Sequence, residues 1–173
     1  MKRNAAENHL IQLIIATRDG DFLASYSVRG LAALRFPAKR RGETAPPNAL
    51  PVTIRRWHRA TGIALKRALV GRTTRISPPL DLSAGTAFQQ RVWQQLLKIP
   101  LGETRSYGEL AGLLKNSRAA RAVGSACGAN PIPVLIPCHR VLAAMHKLGG
   151  FSGGLAWKRK LLWREESRDL WKG

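Results

Sequence analysis

The sequence predicts an α+β protein in which a small antiparallel sheet with one helix is followed by a mostly helical region. Short β-rich segments separated by turn residues occupy residues 9–36, whereas helix-capping patterns and apolar stripes at helical spacing dominate after residue 85. A chain of 173 residues with 45% apolar residues can build one ordinary core, or two small domains that share an interface. We therefore expect an N-terminal α/β domain over residues 1–84 and a second domain over residues 85–173.

The N-terminal segments have the residue pattern of a three-stranded meander. Residues 9–16 are rich in β-forming apolar residues, and the Asp-Gly-Asp sequence at 19–21 predicts a turn. Residues 22–28 and 31–36 predict two further strands. Residues 38–51, which hold several prolines and a basic cluster, predict an exposed loop.

A basic amphipathic helix is predicted next, over residues 52–70. Its apolar residues form one stripe among arginines, and Gly71 is suited to end it. The stripe consists of Ile54, Trp57, Ile63, Leu65 and Leu69. Residues 73–85, with two adjacent prolines, predict a linker between the halves.

The second half contains two capping-box patterns, in which a hydroxyl residue is followed three positions later by Gln or Glu. These are Thr86 with Gln89 and Ser106 with Glu109. The first predicts a helix that stops before residue 100, and the second predicts a short helix to about residue 114. The apolar stripe of the first helix is Phe88, Val92, Leu96 and Ile99.

A third helix in this half is predicted from Arg118 to about Cys127, with Ser117 as its cap. Together with the helix before it, it forms a helix-turn-helix candidate. Most of its residues are small, and Arg121 stands alone among them. Either this helix packs tightly against another helix, or its small face enters a DNA groove and leaves Arg121 as a probe. A last helix is predicted over residues 155–166.

The charge of the chain favours a polyanionic partner. The net charge is +19, with 15 basic and 5 acidic residues in positions 1–84 and 14 and 5 in positions 85–173. This positive charge fits duplex DNA better than single-stranded DNA. Binding of single strands depends on aromatic side chains on which the bases stack, and aromatic residues make up only 6% of the chain. An anionic membrane surface is the rival partner, but no helix pairs a basic face with an aromatic insertion face, and no apolar stretch approaches the roughly 20 residues of a membrane span.

The cysteine content favours a reducing compartment. Cys127 and Cys138 do not make a disulfide framework, and the first residues lack the apolar stretch of a secretory signal. We therefore expect a cytoplasmic protein. No set of Cys and His residues has zinc-ligand spacing, so we expect no metal.

Cys138 and His139 form the strongest candidate for chemistry. A free thiol has a pKa of about 8.5 and reacts as the thiolate, so Cys138 needs a nearby base, which His139 can supply. Glu165 follows Leu161 by four residues and Leu162 by three, and an inward carboxylate at that spacing would suit His139 as a partner. The alternatives are a small buried cysteine beside a core histidine, and a solvated acidic pair at positions 165 and 166.

Five ordered segments carry a resemblance to the O6-alkylguanine-DNA alkyltransferases. They are GTAFQQRVW at 85–93, SYGELA at 106–111, AARAVG at 119–124, PCHRV at 137–141 and SGGL at 152–155. They are distributed along essentially all of residues 85–166, whereas the N-terminal half resembles the family only in layout. This resemblance implies a ribonuclease H-like N-terminal domain and a winged-helix-like C-terminal domain that carries catalysis and DNA binding.

The function implied by the resemblance is suicide DNA repair. A methyl or other alkyl group would move from O6 of guanine, and from O4 of thymine, in duplex DNA onto Cys138 after the base has been flipped out. The transfer would be irreversible, would need no cofactor, and would be carried out by a monomer.

Residue roles implied by the resemblance complete this picture. Glu165 would orient His139, His139 would draw the proton from Cys138 through a water, and Asn130 would brace the turn that carries the cysteine. Arg121 would take the place of the flipped base, and Tyr107 would help to turn the phosphate. The implied DNA and substrate contacts are Tyr107, Asn116, Arg121, Ala122, Ser125, Val141, Phe151, Ser152 and Gly153.

The chain departs from the family pattern in the segment 142–147, which lacks a usual glycine near His146 and has Ala144 in place of a polar residue. Phe151 stands where tyrosine is usual. These positions leave the preferred alkyl group open. Two other classes of function also remain at this stage: a non-catalytic DNA-binding or regulatory module, and a cysteine hydrolase.

Overall fold

The computed structural model of the chain describes residues 10–38 and 50–165. The loop predicted at 38–51 therefore lies mostly outside the described residues. Strands β1 (Ile11–Thr17), β2 (Gly20–Ser27) and β3 (Gly30–Arg35) form an antiparallel sheet in the order β1-β2-β3, which confirms the predicted meander.

Helix α1 (Val52–Ala68) packs against β1 and β3. Its buried face includes Ile54 and Leu65, whereas the arginines of its other face are exposed, as the amphipathic pattern predicts. The helix ends two residues before the predicted boundary. Gly71 lies just beyond it with φ +66°, where an added Cβ would lie 1.8 Å from the Arg164 carbonyl oxygen, so only glycine fits this approach.

The predicted linker at 73–85 is attached to the sheet over part of its length. Leu31 of β3 donates a backbone hydrogen bond to Pro79 (2.8 Å) and accepts one from Asp81 (2.8 Å). Residues buried in both halves of the chain belong to a single apolar cluster. The division at residues 84 and 85 stays a prediction.

Two helices of the second half begin at the predicted capping boxes. In α2 (Ala87–Leu96) the Thr86 hydroxyl accepts a hydrogen bond from the Gln89 amide, and the Gln89 side chain accepts one from the Thr86 amide. The same reciprocal pair opens α3 (Tyr107–Leu113) at Ser106 and Glu109. Just before α3, the two-residue strand β4 (Arg105–Ser106) pairs in parallel with β5 (Val141–Leu142).

The start predicted for the third helix is wrong. Residues Ser117–Ala119 form a 3₁₀ turn, and α4 spans Ala120–Gly128 without a side-chain cap from Ser117. The physical reason lies in the turn: Lys115 has φ 56°, and the Asn116 amide donates back to the Ala111 carbonyl, so the chain leaves α3 tightly and re-enters helical geometry late.

Helix α5 (Leu155–Arg164) is the last described element, and Glu165 is its C-cap. The predicted end at residue 166 lies outside the described residues. Within residues 10–38 and 50–165, no helix combines the length and apolarity needed to cross a membrane.

Candidate active site

The Cys138 thiol lies at the start of a 3₁₀ turn, Cys138–Arg140, directly after the buried apolar segment that follows α4. Asn130, at the end of α4, holds this segment with three hydrogen bonds. Its amide nitrogen donates to the Ile136 carbonyl (2.8 Å) and to the Cys138 sulfur (3.1 Å), and its amide oxygen accepts from the Ile132 amide (3.0 Å). These hydrogen bonds connect Asn130 to the chain on both sides of residue 135 and to the thiol itself.

His139 and Glu165 are in contact although they are 26 residues apart. The His139 Nε2 atom lies 2.9 Å from Glu165 Oε1, and both side chains are buried. Arg140 makes a bidentate pair with the same carboxylate, at 2.8 and 2.9 Å, and donates to the Ile99 carbonyl (2.6 Å). The carboxylate is therefore fixed from two sides.

The Glu165 carboxyl is ionised in this setting. Burial raises its pKa, but the hydrogen bonds from His139 and Arg140 outweigh burial and lower the pKa from 4.5 to about 2. A carboxylate at Nε2 favours the tautomer with the proton on Nε2. Among the described residues Nδ1 of His139 has no hydrogen-bond partner, so its lone pair is available to accept a proton.

The Cys138 and His139 side chains are both held in their neutral forms. Burial raises the pKa of the Cys138 thiol, opposed by the Asn130 hydrogen bond and by the charge of Lys158. Burial lowers the pKa of His139, opposed by Glu165. The site therefore rests as a thiol next to a neutral imidazole, and the proton must move when the thiol reacts.

A cleft of about 530 Å³ opens onto the Cys138 sulfur. Of the predicted site residues, it brings together Tyr107, Arg121, Phe151 and Ser152 with the cysteine. Phe151 also packs edge-on against the His139 ring, with the ring centroids 6.4 Å apart.

The remaining predicted contacts lie outside the cleft lining. On α4, Ala122 and Ser125 are exposed beside Arg121 and form a surface of small side chains, and Asn116 is exposed at the turn before it. Val141 is fully buried behind the site. Gly153 faces Phe36, whose nearest ring atoms would lie 2.5 to 2.8 Å from an added Cβ, so glycine is required there for packing.

Three residues of the site were not assigned from the sequence. Arg140 belongs to the PCHRV segment, but its bidentate hydrogen bonds with Glu165 form only in the folded chain, because the two residues are far apart in sequence. Cys127 lines the same cleft as the predicted nucleophile, and burial raises its pKa to about 12. Lys158 is fully buried, and its spacing of three residues before Leu161 and seven before Glu165 was the signal that could have placed it on the inner face of α5.

Comparison with known families gives a consistent match for the second half. Residues 87–167 match the family model described as "6-O-methylguanine DNA methyltransferase, DNA binding domain". The chain is 54% identical over 104 residues to a methylated-DNA–protein-cysteine methyltransferase of Mycobacterium tuberculosis, covering 60% of this chain and 62% of that protein. For the protein of the same name from Haemophilus influenzae it is 53% identical over 89 residues, or 51% and 50% of the two chains. The chain thus matches about half to three fifths of the length of these curated relatives.

Similarity to solved structures extends over most of the chain. A crystal structure of Mycobacterium tuberculosis OGT in complex with DNA is 40% identical, with a TM-score of 0.74, and the match covers 90% of this chain and 92% of that one. A structure of the O6-methylguanine methyltransferase from the same organism is 39% identical, with a TM-score of 0.76 and coverage of 92% and 94%.

Proposed function

The chain belongs to the O6-methylguanine-DNA methyltransferase family, and we propose that it repairs duplex DNA by moving an alkyl group from O6 of guanine, or O4 of thymine, onto Cys138. The observation that carries the proposal is the buried pair of His139 and Glu165 next to Cys138, which lines a cleft together with Tyr107 and Arg121. This arrangement supplies a nucleophile, a base and an orienting carboxylate in one buried site.

In the proposed reaction, His139 accepts the thiol proton at Nδ1, directly or through a water, and Glu165 stabilises the resulting imidazolium. The thiolate attacks the alkyl carbon, a carbon–sulfur bond forms, and the bond from that carbon to the guanine oxygen breaks with its electron pair remaining on the base. The proton count balances because the thiol loses one proton and the leaving guanine gains one.

Tyr107 is the proposed donor of the proton to the leaving base, and the proton that His139 has taken from the thiol then passes through solvent to the Tyr107 phenolate. Its ring lies against Gly124 of α4 and its hydroxyl lies near Gly149, where an added Cβ would approach it to 3.2 Å. Burial raises the pKa of Tyr107, so the phenol carries its proton at neutral pH.

Base flipping is proposed because the atom to be repaired is buried in an intact base stack. The exposed surface of α4 has small side chains that suit the narrow minor groove, and Arg121 lies at the border between that surface and the cleft. In this proposal α3 and α4 act as the helix-turn-helix, Arg121 fills the gap left by the flipped base, and Asn116, Ala122 and Ser125 contact the DNA.

We extend the proposal to the finer fold and to the state of the protein. The three-stranded sheet with α1 would belong to a ribonuclease H-like N-terminal domain over residues 1–84. Residues 85–173 would form a winged-helix-like catalytic and DNA-binding domain. The monomeric state and the cytoplasmic location stay predictions.

The proposal is tested by incubating the protein with duplex DNA that carries labelled O6-methylguanine, followed by mass analysis of its peptides. We expect one methyl group per protein molecule, on Cys138, without added metal or nucleotide, because a thioether has no resolving group in this site. Cys138→Ala should still bind the duplex. Repeated turnover, or label on Cys127, would contradict the proposal.

A further inference from the structure

Lys158 is a buried charge that the proposed reaction does not use. The residue is fully inaccessible to solvent, and it lies on the same inner face of α5 as Leu161 and Leu162. An isolated ammonium in an apolar interior is strongly unfavourable unless it is solvated by protein groups. Its position therefore needs a physical reason.

The ammonium of Lys158 is solvated by backbone carbonyls at the two ends of one loop. Its Nζ donates to the Val141 carbonyl (2.6 Å), three residues after Cys138, and to the Leu148 carbonyl. The Gly150 carbonyl lies 3.5 Å away, and Gly150 lines the cleft. Lys158 thus connects the segment that follows the nucleophile to the segment that forms the cleft wall.

The charge of Lys158 has no carboxylate counter-ion among its described partners. The ionisable groups that interact with it are the thiols of Cys127 on α4 and Cys138 on the 3₁₀ turn, and the imidazole of His139. The nearby carboxylate of Glu165, on its own helix, is engaged by His139 and Arg140 instead. A thiolate at Cys138 is therefore the negative charge best placed to gain from this ammonium.

We propose that Lys158 is a positioning residue for the transfer reaction, which holds both ends of the 141–150 loop and keeps a positive charge behind Cys138 when the thiolate forms. This role rests on the proposed transfer to Cys138 and adds to it a source of electrostatic stabilisation outside the Cys138, His139 and Glu165 set.

The ionisation of the site agrees with this role. Burial lowers the pKa of Lys158 from 10.5 to about 8, so the ammonium is still mostly charged at neutral pH. The same charge lowers the pKa of Cys138 against the effect of burial. In turn, a thiolate at Cys138 raises the pKa of Lys158 against the effect of burial, as expected for a favourable interaction between an ammonium and a thiolate.

The test measures how fast iodoacetamide alkylates Cys138 between about pH 6 and pH 10, with the Cys138 peptide quantified by mass spectrometry. Lys158→Gln removes the charge but keeps a donor for the carbonyls, and Lys158→Arg keeps both. Lys160→Gln is the matched control: it lies on the same helix, is 40% exposed and pairs with Asp19. Circular dichroism and thermal unfolding establish that each variant is folded, and Lys158→Met replaces Lys158→Gln if the latter does not fold.

We expect Lys158→Gln to react about tenfold more slowly near pH 7, which corresponds to one pKa unit. The difference should disappear as the pH rises above about 8, because the wild-type ammonium then loses its proton and its charge. Lys158→Arg and Lys160→Gln should retain the wild-type profile. A slowing that is the same at every pH, or an unchanged profile in Lys158→Gln, would overturn the proposal. Because alkylation needs no DNA, a wild-type protein that fails to accept methyl groups from DNA would refute the proposed function without affecting this result.

Discussion

Replacing Glu165 by Gln is the most informative single change at the proposed site, because it keeps the shape and removes the charge. The pKa of the Glu165 carboxyl is about 2, against 4.5 for the ordinary group. A difference of this size corresponds to ~3 kcal/mol of stability, at about 1.4 kcal/mol per unit. The charge–charge part of this stabilisation comes mainly from Arg140, because burial keeps His139 neutral.

The sign of the pH dependence follows from the lowered pKa. A carboxyl with a depressed folded-state pKa contributes its full stabilisation above its unfolded pKa of about 4.5 and loses it as the pH falls towards 2. We therefore expect urea unfolding to show Glu165→Gln less stable by about 3 kcal/mol at pH 7, with the difference shrinking below pH 4.5. A constant difference down to pH 2 would mean that Glu165 is not ionised in the native protein.

The same variant tests the chemistry. Without the carboxylate, the imidazolium of His139 loses its stabilising partner, so alkyl transfer should slow near neutral pH. The rate should recover partly as the pH approaches the pKa of the Cys138 thiol. Unchanged transfer rates across pH would show that the Cys138 thiol is activated in another way.

Asp19→Asn is the matched control for these two readouts. Its hydrogen bonds with Arg164 and Lys160 outweigh burial and lower the pKa of Asp19 from 3.8 to about 2, a difference worth about 2 kcal/mol. We expect a similar loss of stability with no change in the pH profile of transfer. Glu166→Gln, at the neighbouring position that lies outside the described residues, should also leave the profile unchanged; if it were the slower variant, the assignment of Glu165 would be wrong.

Two further predictions concern DNA. Arg121→Ala should slow repair of duplex DNA by about tenfold or more, because flipping requires a few kcal/mol that the inserted side chain offsets, while transfer from free O6-substituted guanine should change little. Equal losses on both substrates would make Arg121 structural. The affinity of the Cys138→Ala protein for duplex DNA should fall steeply with salt, as expected for a +19 protein that contacts several phosphates. It is measured by titration at several salt concentrations. An affinity independent of salt would contradict binding to the phosphate backbone of the DNA.

The local features of the fold were predictable because their causes are local. The capping boxes at Thr86 and Ser106 depend on residues three positions apart, and both were found where the sequence placed them. The start of α4 was not predictable in this way, because Ser117 is a suitable cap by composition. What decides the start is the left-handed conformation of Lys115 and the backbone hydrogen bonds of the turn.

The parallel pairing of β4 with β5 was also beyond the sequence. Each strand has only two residues, too few for the alternation that identifies a strand. This pairing joins the residues just before α3 to those just after the Cys138–Arg140 turn. It therefore helps to bring Tyr107 and Cys138 to the same cleft. The sequence motifs contain both residues but do not show that they lie close together in space.

For the site itself, the sequence motifs identified the residue types, whereas the contacts that set their ionisation were missed. The interaction of Glu165 with His139 was expected from helical spacing and from the resemblance. Arg140 and Lys158 were not assigned to the site, because a basic residue next to a motif is interpreted as a solvated surface residue unless its burial is known. Those two cations nevertheless influence the ionisation of the site: Arg140 helps to lower the pKa of Glu165, and Lys158 opposes the effect of burial on the pKa of Cys138.

The ionisation of the site suits a nucleophile that can be used only once. A thiolate exposed to solvent would react with any available electrophile, and in the proposed reaction each such event would inactivate the protein permanently. Here Cys138 is 4% exposed and burial raises its pKa, so the thiol stays protonated until a base accepts its proton. In the proposed reaction His139 and Glu165 provide that base, and Lys158 provides positive charge for the thiolate once it forms. In this proposal the thiolate therefore forms at a buried sulfur at the cleft, where an alkylated base placed against the sulfur is the electrophile that meets it.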